Sequence, residues 1–208
     1  MKVLTLPLGI MQTNCHICIN EAERQAVIID PGDEGSRVAD TLNQESVVPV
    51  AILLTHGHFD HIRAVEGLRR RYQIPVVAGR SEEEILTNIE LNLSAKVPPA
   101  VTVTADRLCV GSEVLDYAGL HFTVMETPGH TIGGVCYYLS EQAAVFSGDV
   151  LFYESIGNTA FPTGNHRQLL QSIREKLLTL PEETVCYCGH GQSTDIKHEK
   201  YFNPWVSL

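Results

Sequence analysis

Short apolar runs alternate with amphipathic stretches along this chain. "KVLTLPL" (2–8), "CHICIN" (15–20) and "QAVIID" (25–30) have β-rich composition, and the turn Pro31-Gly32-Asp33 closes the third. A helix-like segment runs from Glu34 to Gln44. It is followed by "VPVAILLT" (48–55), a continuous apolar run typical of a strand buried on both faces. Between Phe59 and Arg71 the apolar residues Ile62, Val65 and Leu68 recur at helical spacing. "SEEEILTNIELNLSAK" (81–96) predicts a further helix that stops before Pro98-Pro99. Ser81 and Glu84 have capping-box spacing there, and the glutamates suit the positive helix start.

The second half repeats the order. Strands are predicted at "AVTVT" (100–104), "SEVLDY" (112–117), "LHFTVMETP" (120–128), "GVCYYLS" (134–140) and "AAVFSGDVLF" (143–152), then a helix from Arg167 to Thr179. A last strand, "ETVCYCG" (183–189), leads into a segment that turns helical before Pro204. Strands then helix, twice over, predict a layered α/β arrangement of two similar halves, sheets inside and helices outside.

At 208 residues the chain fits a single domain spanning 1–208, large enough to bury a substantial core without disulfide or metal staples. No apolar run approaches membrane-spanning length, and the first twenty residues do not read as a signal peptide, so a cytoplasmic protein is expected. A formal charge of -10 works against a phosphate backbone, so no nucleic acid partner is expected.

Six cysteines without a secretion signal are expected to be reduced thiols. Cys15 and Cys18 form a CxxC, but on a strand residues three apart face opposite ways, so a buried-thiol reading is preferred over metal chelation. Cys186 and Cys188 would share a face.

The stretch "LLTHGHFDHIRA" (53–64) packs three histidines and an aspartate into six residues where a strand ends and a helix begins. Similar strand-end turns carry His130 in "ETPGHTIGG", Asp149 in "VFSGDVLF" and His190 in "CGHGQST". Loops at carboxyl ends of strands are where layered α/β proteins place their sites, so four such ends can converge on one point. Imidazoles with carboxylates form a ligand set suited to zinc, iron or manganese. His56 and His58 can point the same way from an extended loop while Asp60 and His61 point around the helix start, so one loop can serve two neighbouring metals. Shuffling 9 His and the chain's aspartates over 208 positions would give His-x-His-x-Asp-His about 0.0006 of the time, which favours a real metal site. His16, His121, His166 and His198 have no such pattern and read as strand or surface histidines.

At these residues the sequence resembles the metallo-β-lactamase-fold hydrolases, most closely the glyoxalase II-like (hydroxyacylglutathione hydrolase-like) branch. The matching pieces are "DPG" (30–32), "THGHFDH" (55–61), "TPGHT" (127–131), "SGDVLF" (147–152) and "GHG" (189–191). The resemblance implies an αββα four-layer sandwich, two mixed sheets flanked by helices, with the site at one edge between the sheets. It implies that His56, His58 and His130 hold metal 1, that Asp60, His61 and His190 hold metal 2, and that Asp149 bridges them. Asp30 would steady the histidine loop, and Tyr153, just beyond "GDVLF", would line the substrate pocket. The bridging aspartate sets the chain apart from true β-lactamases, which do not use one there.

The chain also departs from its resemblance. Glyoxalase II proper carries a C-terminal helical domain that helps hold glutathione, whereas eighteen residues follow His190 here. Single-domain relatives read roughly "SIGRTDFPGG" where this chain has "SIGNTAFPTG", so Asn158 replaces an arginine and Ala160 an aspartate. Cys188 stands where many relatives have proline and reads as an inert thiol, the alternative being a thiol near metal 2.

The expected function is that of a dinuclear hydrolase, two divalent ions, zinc first, activating a hydroxide that attacks a small thioester or ester, with Asp60 orienting the nucleophile. The alternative within the fold is a persulfide dioxygenase holding a single iron through His56, His130 and Asp149.

Overall fold

The computed structural model describes residues 1–206. In the first half β1 (Lys2–Leu8), β2 (Thr13–Asn20) and β3 (Gln25–Ile29) form an antiparallel meander. Helix α1 (Gly35–Glu45) returns the chain to β4 (Val48–Leu54), parallel to β3. Helices α2 (Phe59–Ile62) and α3 (Val65–Tyr72) lead to β5 (Val76–Gly79). A 3-10 turn (Arg80–Glu82) and α4 (Glu83–Thr87) precede β6 (Arg107–Cys109). The sheet order is β1-β2-β3-β4-β5-β6, its last four strands parallel.

In the second half β7 (Val114–Tyr117), β8 (Leu120–Glu126), β9 (Val135–Leu139) and β10 (Ala144–Gly148) are antiparallel. The hairpin of β11 (Leu151–Phe152) and β12 (Ser155–Ile156) and helix α5 (His166–Ser172) follow. Strand β13 (Val185–Cys188) then adds parallel to β10, β14 (Thr194–Asp195) closes the edge, and α6 (Ile196–Phe202) ends the fold. The order β14-β13-β10-β9-β8-β7 makes this sheet mixed as well.

Three apolar layers hold these elements together, and strand alternation assigns residues to them. Ile52 and Leu54 of β4 face α1 and α3 in a layer with Val38, Leu42, Val65 and Leu68. Leu53 faces the other way, into the layer between the sheets with Val27, Ile29, Phe122, Tyr137 and Phe146. The third layer packs Val145 and Cys186 against Leu169, Ile173 and Ile196 on the outer helices. Helix, sheet, sheet and helix therefore stack as the expected αββα sandwich. Cys15 lies in the first layer and Cys18 in the second, so the CxxC pair does face opposite ways. All six cysteines are free and buried.

The segment 81–96 is not one helix. Helix α4 stops at Thr87, and no side chain caps its start. Asn88 instead accepts from the backbone N–H groups of Glu90 and Leu91, Asn92 accepts from Ser94, and Leu93 takes a left-handed φ of 68°. Asparagine side chains offer the backbone these local partners in competition with the helix. The strand expected at 100–104 does not form, and the sixth strand lies at Arg107–Cys109 instead. The helix over 59–71 is broken at Arg63–Ala64, where the Ala64 N–H donates to Pro31. Ile62, Val65 and Leu68 are nevertheless all buried. The strand expected over 143–152 breaks at Gly148, whose φ is +49°. The helix from 167 ends in a π turn, Ile173–Leu177.

Register places the site. Ile29 pairs with Leu53 and Gly148 lies beside Cys188, so 30 and 55 leave one sheet together, as 149 and 190 leave the other. The sheets meet at these ends: the Val135 N–H donates to Thr55 at 2.9 Å and Thr13 bridges to His190.

Candidate metal centre

Seven expected ligands converge at this junction. The rings of His56, His58 and His130 form a near-equilateral triangle with centroids 4.8, 4.7 and 4.7 Å apart. His56 and His58 come from the loop after β4 and His130 from the loop between β8 and β9. His58 Nδ1 lies 2.9 Å from His130 Nε2. Asp60, His61 and His190 form a second group, with Asp60 Oδ2 3.7 Å from His61 Nε2 and 3.3 Å from His190 Nε2. Asp149 sits between the groups. Its Oδ1 is 3.3 Å from His61 Nε2, while Oδ2 is 3.7 Å from His130 Nε2 and 3.5 Å from His190 Nε2.

Two turns aim these side chains. Gly148 takes a left-handed φ, and a Cβ there would lie 2.3 Å from Thr55 Oγ1, so only glycine lets the turn press on β4 and direct Asp149 inward. Asp30 also adopts positive φ, at 50°, a conformation aspartate tolerates better than most residues.

From there Asp30 fixes ring tautomers on both groups. Its Oδ2 accepts from Thr55 Oγ1 at 2.6 Å and from His61 Nδ1 at 3.0 Å, and its Oδ1 accepts from the Thr55 backbone N–H at 2.8 Å. Because the Thr55 hydroxyl donates to Asp30, it accepts from His56 Nδ1 at 3.1 Å. His130 Nδ1 donates to the Asn158 carbonyl at 2.7 Å. Each Nδ1–H is therefore spoken for, and the Nε2 lone pairs of His56, His61 and His130 are left for a cation.

The donor set fits metal ions. His56 Nε2, His58 Nε2, His61 Nε2 and Asp149 Oδ1 are buried and have no hydrogen-bond partner, which is rare for buried polar atoms. Burial and the neighbouring histidines push His56 well below its ordinary pKa, and burial with His130 brings His58 to about 3, so both rings are neutral and able to coordinate a cation. Burial opposes ionisation of Asp60, but His61, His190 and Thr13 outweigh it and hold the carboxyl at about 2. Asp149 is likewise held well below the carboxylate range, against burial, by His61, His190 and His130. Burial also opposes charge on His61 and His190, yet the Asp149 and Asp60 carboxylates raise His61 well above 6.5 and His190 to about 9. Negative charge in this volume thus calls for positive charge, which divalent cations would supply in place of protons.

Thr13, Asn14, Glu82 and Phe161, which sequence reasoning did not single out, also lie around the centre. Thr13 Oγ1 donates to Asp60 Oδ2 at 2.8 Å, and Asn14 Nδ2 holds the His190 loop through the carbonyls of Cys188 and Gly191. Glu82, one of three consecutive glutamates, is fully buried, and burial raises its carboxyl to about 7. Phe161 lies edge-on to His58 at 5.6 Å and to His130 at 6.2 Å. Tyr153 stacks on His198 with centroids 4.8 Å apart, and its neighbour Phe152 is 6.0 Å from His190. Asn158 serves through its backbone carbonyl, its side chain accepting from the Ala160 N–H. The Cys188 thiol is buried in the outer layer with Cys186, and contact with Cys186 and burial raise its pKa, which makes it an inert thiol. His16, His121, His166 and His198 lie outside the cluster, His16 bonded to Thr5 and Cys188, His121 paired with Asp116.

Comparison with known proteins agrees with this geometry. The family described as "Metallo-beta-lactamase superfamily" matches residues 8–190. A probable metallo-hydrolase of Bacillus subtilis is 40% identical, with 100% of this chain and 98% of the relative covered. The hydroxyacylglutathione hydrolase GloC of Haemophilus influenzae is 32% identical over 100% and 99%. Among solved structures, the BLEG-1 B3 metallo-β-lactamase superposes with TM-score 0.95 at 41% identity, covering 100% of both chains. A protein solved in a di-iron-bound form gives 0.86 at 34% over 98% and 100%, and ETHE1 of Myxococcus xanthus 0.79 at 31% over 98% and 84%. With its sandwich, its strand-end cluster and these relatives, the chain belongs to the metallo-β-lactamase superfamily, as a glyoxalase II-like member of its hydrolases.

Proposed function

We propose that this protein hydrolyses a small thioester or related ester with the help of two divalent cations. Hydroxyacylglutathione-like compounds are the first substrates to try and zinc the first metal, iron and manganese being compatible with the same donors. The observation that carries the reading is the position of Asp149, whose oxygens face His61 on one side and His130 and His190 on the other. A carboxylate set between two donor groups suits a pair of ions sharing it. Such a pair supplies two things when bound, a lowered pKa for a water between the ions and polarisation of the substrate carbonyl.

The chain's own side chains do the rest. Asp60, anionic and fixed by Thr13, accepts a hydrogen bond from the attacking water and orients it. His190, with a side chain 26% exposed, marks the open side of the cluster. Phe152 beside His190 and Phe161 against His58 and His130 give apolar walls that hold an acyl group and exclude bulk water. A thioester suits this setting because a thiol ionises near pH 8.5 and leaves as thiolate without a proton donor, whereas an alkoxide needs one.

The test is the initial rate of S-lactoylglutathione hydrolysis, with a chelated sample and His58→Ala alongside. A rate abolished in both controls supports the proposal; no rate from metal-containing protein removes the hydroxyacylglutathione reading and moves the weight to another ester substrate or to persulfide oxidation. The likeness to the BLEG-1 enzyme makes a β-lactam the comparison substrate in the same assay. A second reading, oxidation of a persulfide at a single iron held by His56, His130 and Asp149, draws on the likeness to ETHE1. Iron content and oxygen uptake decide between the two.

A further inference from the structure

The two loops that carry the three-histidine group both end on one carboxylate. Glu82 closes the 3-10 turn after β5 and is fully buried. Its Oε2 accepts from the backbone N–H of Gly57, between His56 and His58, at 2.8 Å. Its Oε1 accepts from Thr131 Oγ1 at 2.6 Å and from the Gly133 N–H at 2.9 Å, in the loop that begins with His130. A buried carboxylate with no cation beside it is costly unless hydrogen bonds satisfy it, and here three donors do. Packing draws the same elements together. A Cβ on Gly133 would lie 2.3 Å from the Ser81 carbonyl carbon and 2.4 Å from the Glu82 nitrogen, so that loop rests directly on the turn.

A clamp is needed at this point. His56 and His58 leave the first sheet and His130 the second, so strand register does not fix their separation. His58 Nδ1 and His130 Nε2 lie 2.9 Å apart, close enough to share a proton that a bound cation would replace. Asp30 reaches His61 and, through Thr55, His56, but makes no hydrogen bond to His58 or His130 among the described residues.

We propose that Glu82 is a positioning residue for the three-histidine group, holding Gly57 on one oxygen and the Thr131–Gly133 loop on the other so that His56, His58 and His130 are set for a metal ion before it binds. The inference rests on the metal reading given above. It adds a residue that touches no ligand atom and acts through the backbone between and beside the ligands. Partners that orient ligands in this way typically change metal affinity 10–100-fold when removed.

The experiment compares the parent with Glu82→Ala, Glu82→Gln and Thr131→Val. Zinc is titrated into metal-free protein against a chromophoric chelator, the visible spectrum is recorded with cobalt(II), and thermal unfolding is followed without metal. Glu82→Ala is expected to lose roughly 10–100-fold in affinity at one of two sites, with an altered cobalt spectrum. Glu82→Gln keeps an oxygen for Thr131 and Gly133 but turns an amide NH2 towards the Gly57 N–H, so a smaller loss is expected, as for Thr131→Val. A role in stability alone would lower the unfolding temperature while folded variants bind zinc within twofold of the parent, and that result overturns the proposal. Should Glu82→Ala fail to fold, the other two variants decide by the same criterion. A parent that takes up neither zinc nor cobalt overturns the metal reading itself, an outcome distinct from variants that bind as well as the parent.

Discussion

His61 Nδ1 donates to Asp30 Oδ2 at 3.0 Å inside a pair of residues that are both buried, and the same oxygen accepts from Thr55. One carboxylate thereby sets the tautomer of a histidine in each donor group, His61 directly and His56 through the threonine hydroxyl. Asp30→Asn presents an amide that cannot accept from both donors on one nitrogen. Metal affinity is expected to fall about 10–100-fold. Metal retained per chain after dialysis against a chelator checks this, and full retention would mean that the strand ends orient the rings unaided.

Asp149→Asn keeps the shape of the side chain and removes the charge between the two groups. One cation per chain rather than two is expected, with turnover lower by roughly a hundredfold or more. Elemental analysis and the thioester assay on the same sample measure both; two ions at unchanged rate would remove Asp149 from the bridge.

Gly148→Ala places a methyl 2.3 Å from Thr55 Oγ1 at a φ of +49°. Backbone strain of this kind costs about 1–3 kcal/mol, and the clash adds to it. Urea denaturation is expected to show a lower midpoint at unchanged slope. An unshifted midpoint would show that the turn relaxes freely.

Phe161 is 37% exposed and lies edge-on to His58 and His130, which places its ring to pack against a bound substrate on the proposed reading. Phe161→Ala is expected to raise KM several-fold with kcat little changed, the signature of lost uniform binding. A fall in kcat alone would place the ring in the transition state instead.

Buried His16 has its pKa brought down to about 4 by burial, against the opposing pull of the Cys188 carbonyl and Asp30. The unfolded chain therefore binds a proton, near pH 6.5, that the folded chain refuses until about pH 4. Stability from this group is complete above pH 6.5 and is lost as pH falls through that window, by about 3 kcal/mol. His16→Gln is expected to flatten the stability profile between pH 6.5 and 4 relative to the parent. Parallel profiles would show that His16 does not contribute.

The candidate ligands were readable because each sits in a local pattern, an apolar strand followed by a short turn, that needs no knowledge of distant contacts. Glu82 was not. In "SEEE" it has the same composition and helix-start context as Glu83 and Glu84, and its burial depends on Gly57 and Gly133, 25 and 51 positions away. The helix over 81–96 failed for a local reason of similar kind, since Asn88 and Asn92 give the backbone side-chain partners that periodicity does not weigh.

By itself the sequence determined the alternation of strands and helices, the two-faced burial of β4, the opposed faces of Cys15 and Cys18, and the set of side chains able to bind metal. Each follows from the period of a strand or helix and from side-chain chemistry, which are properties of neighbours along the chain. Tertiary structure alone decided that strand ends of the two stacked sheets meet at Thr55 and Val135, which brings His130 to His56 and His58. It also decided that Asp30 and Glu82 lie beneath the two ligand loops as buried carboxylates. Those contacts join residues far apart in sequence, and only the packing of the sheets and their end loops creates them.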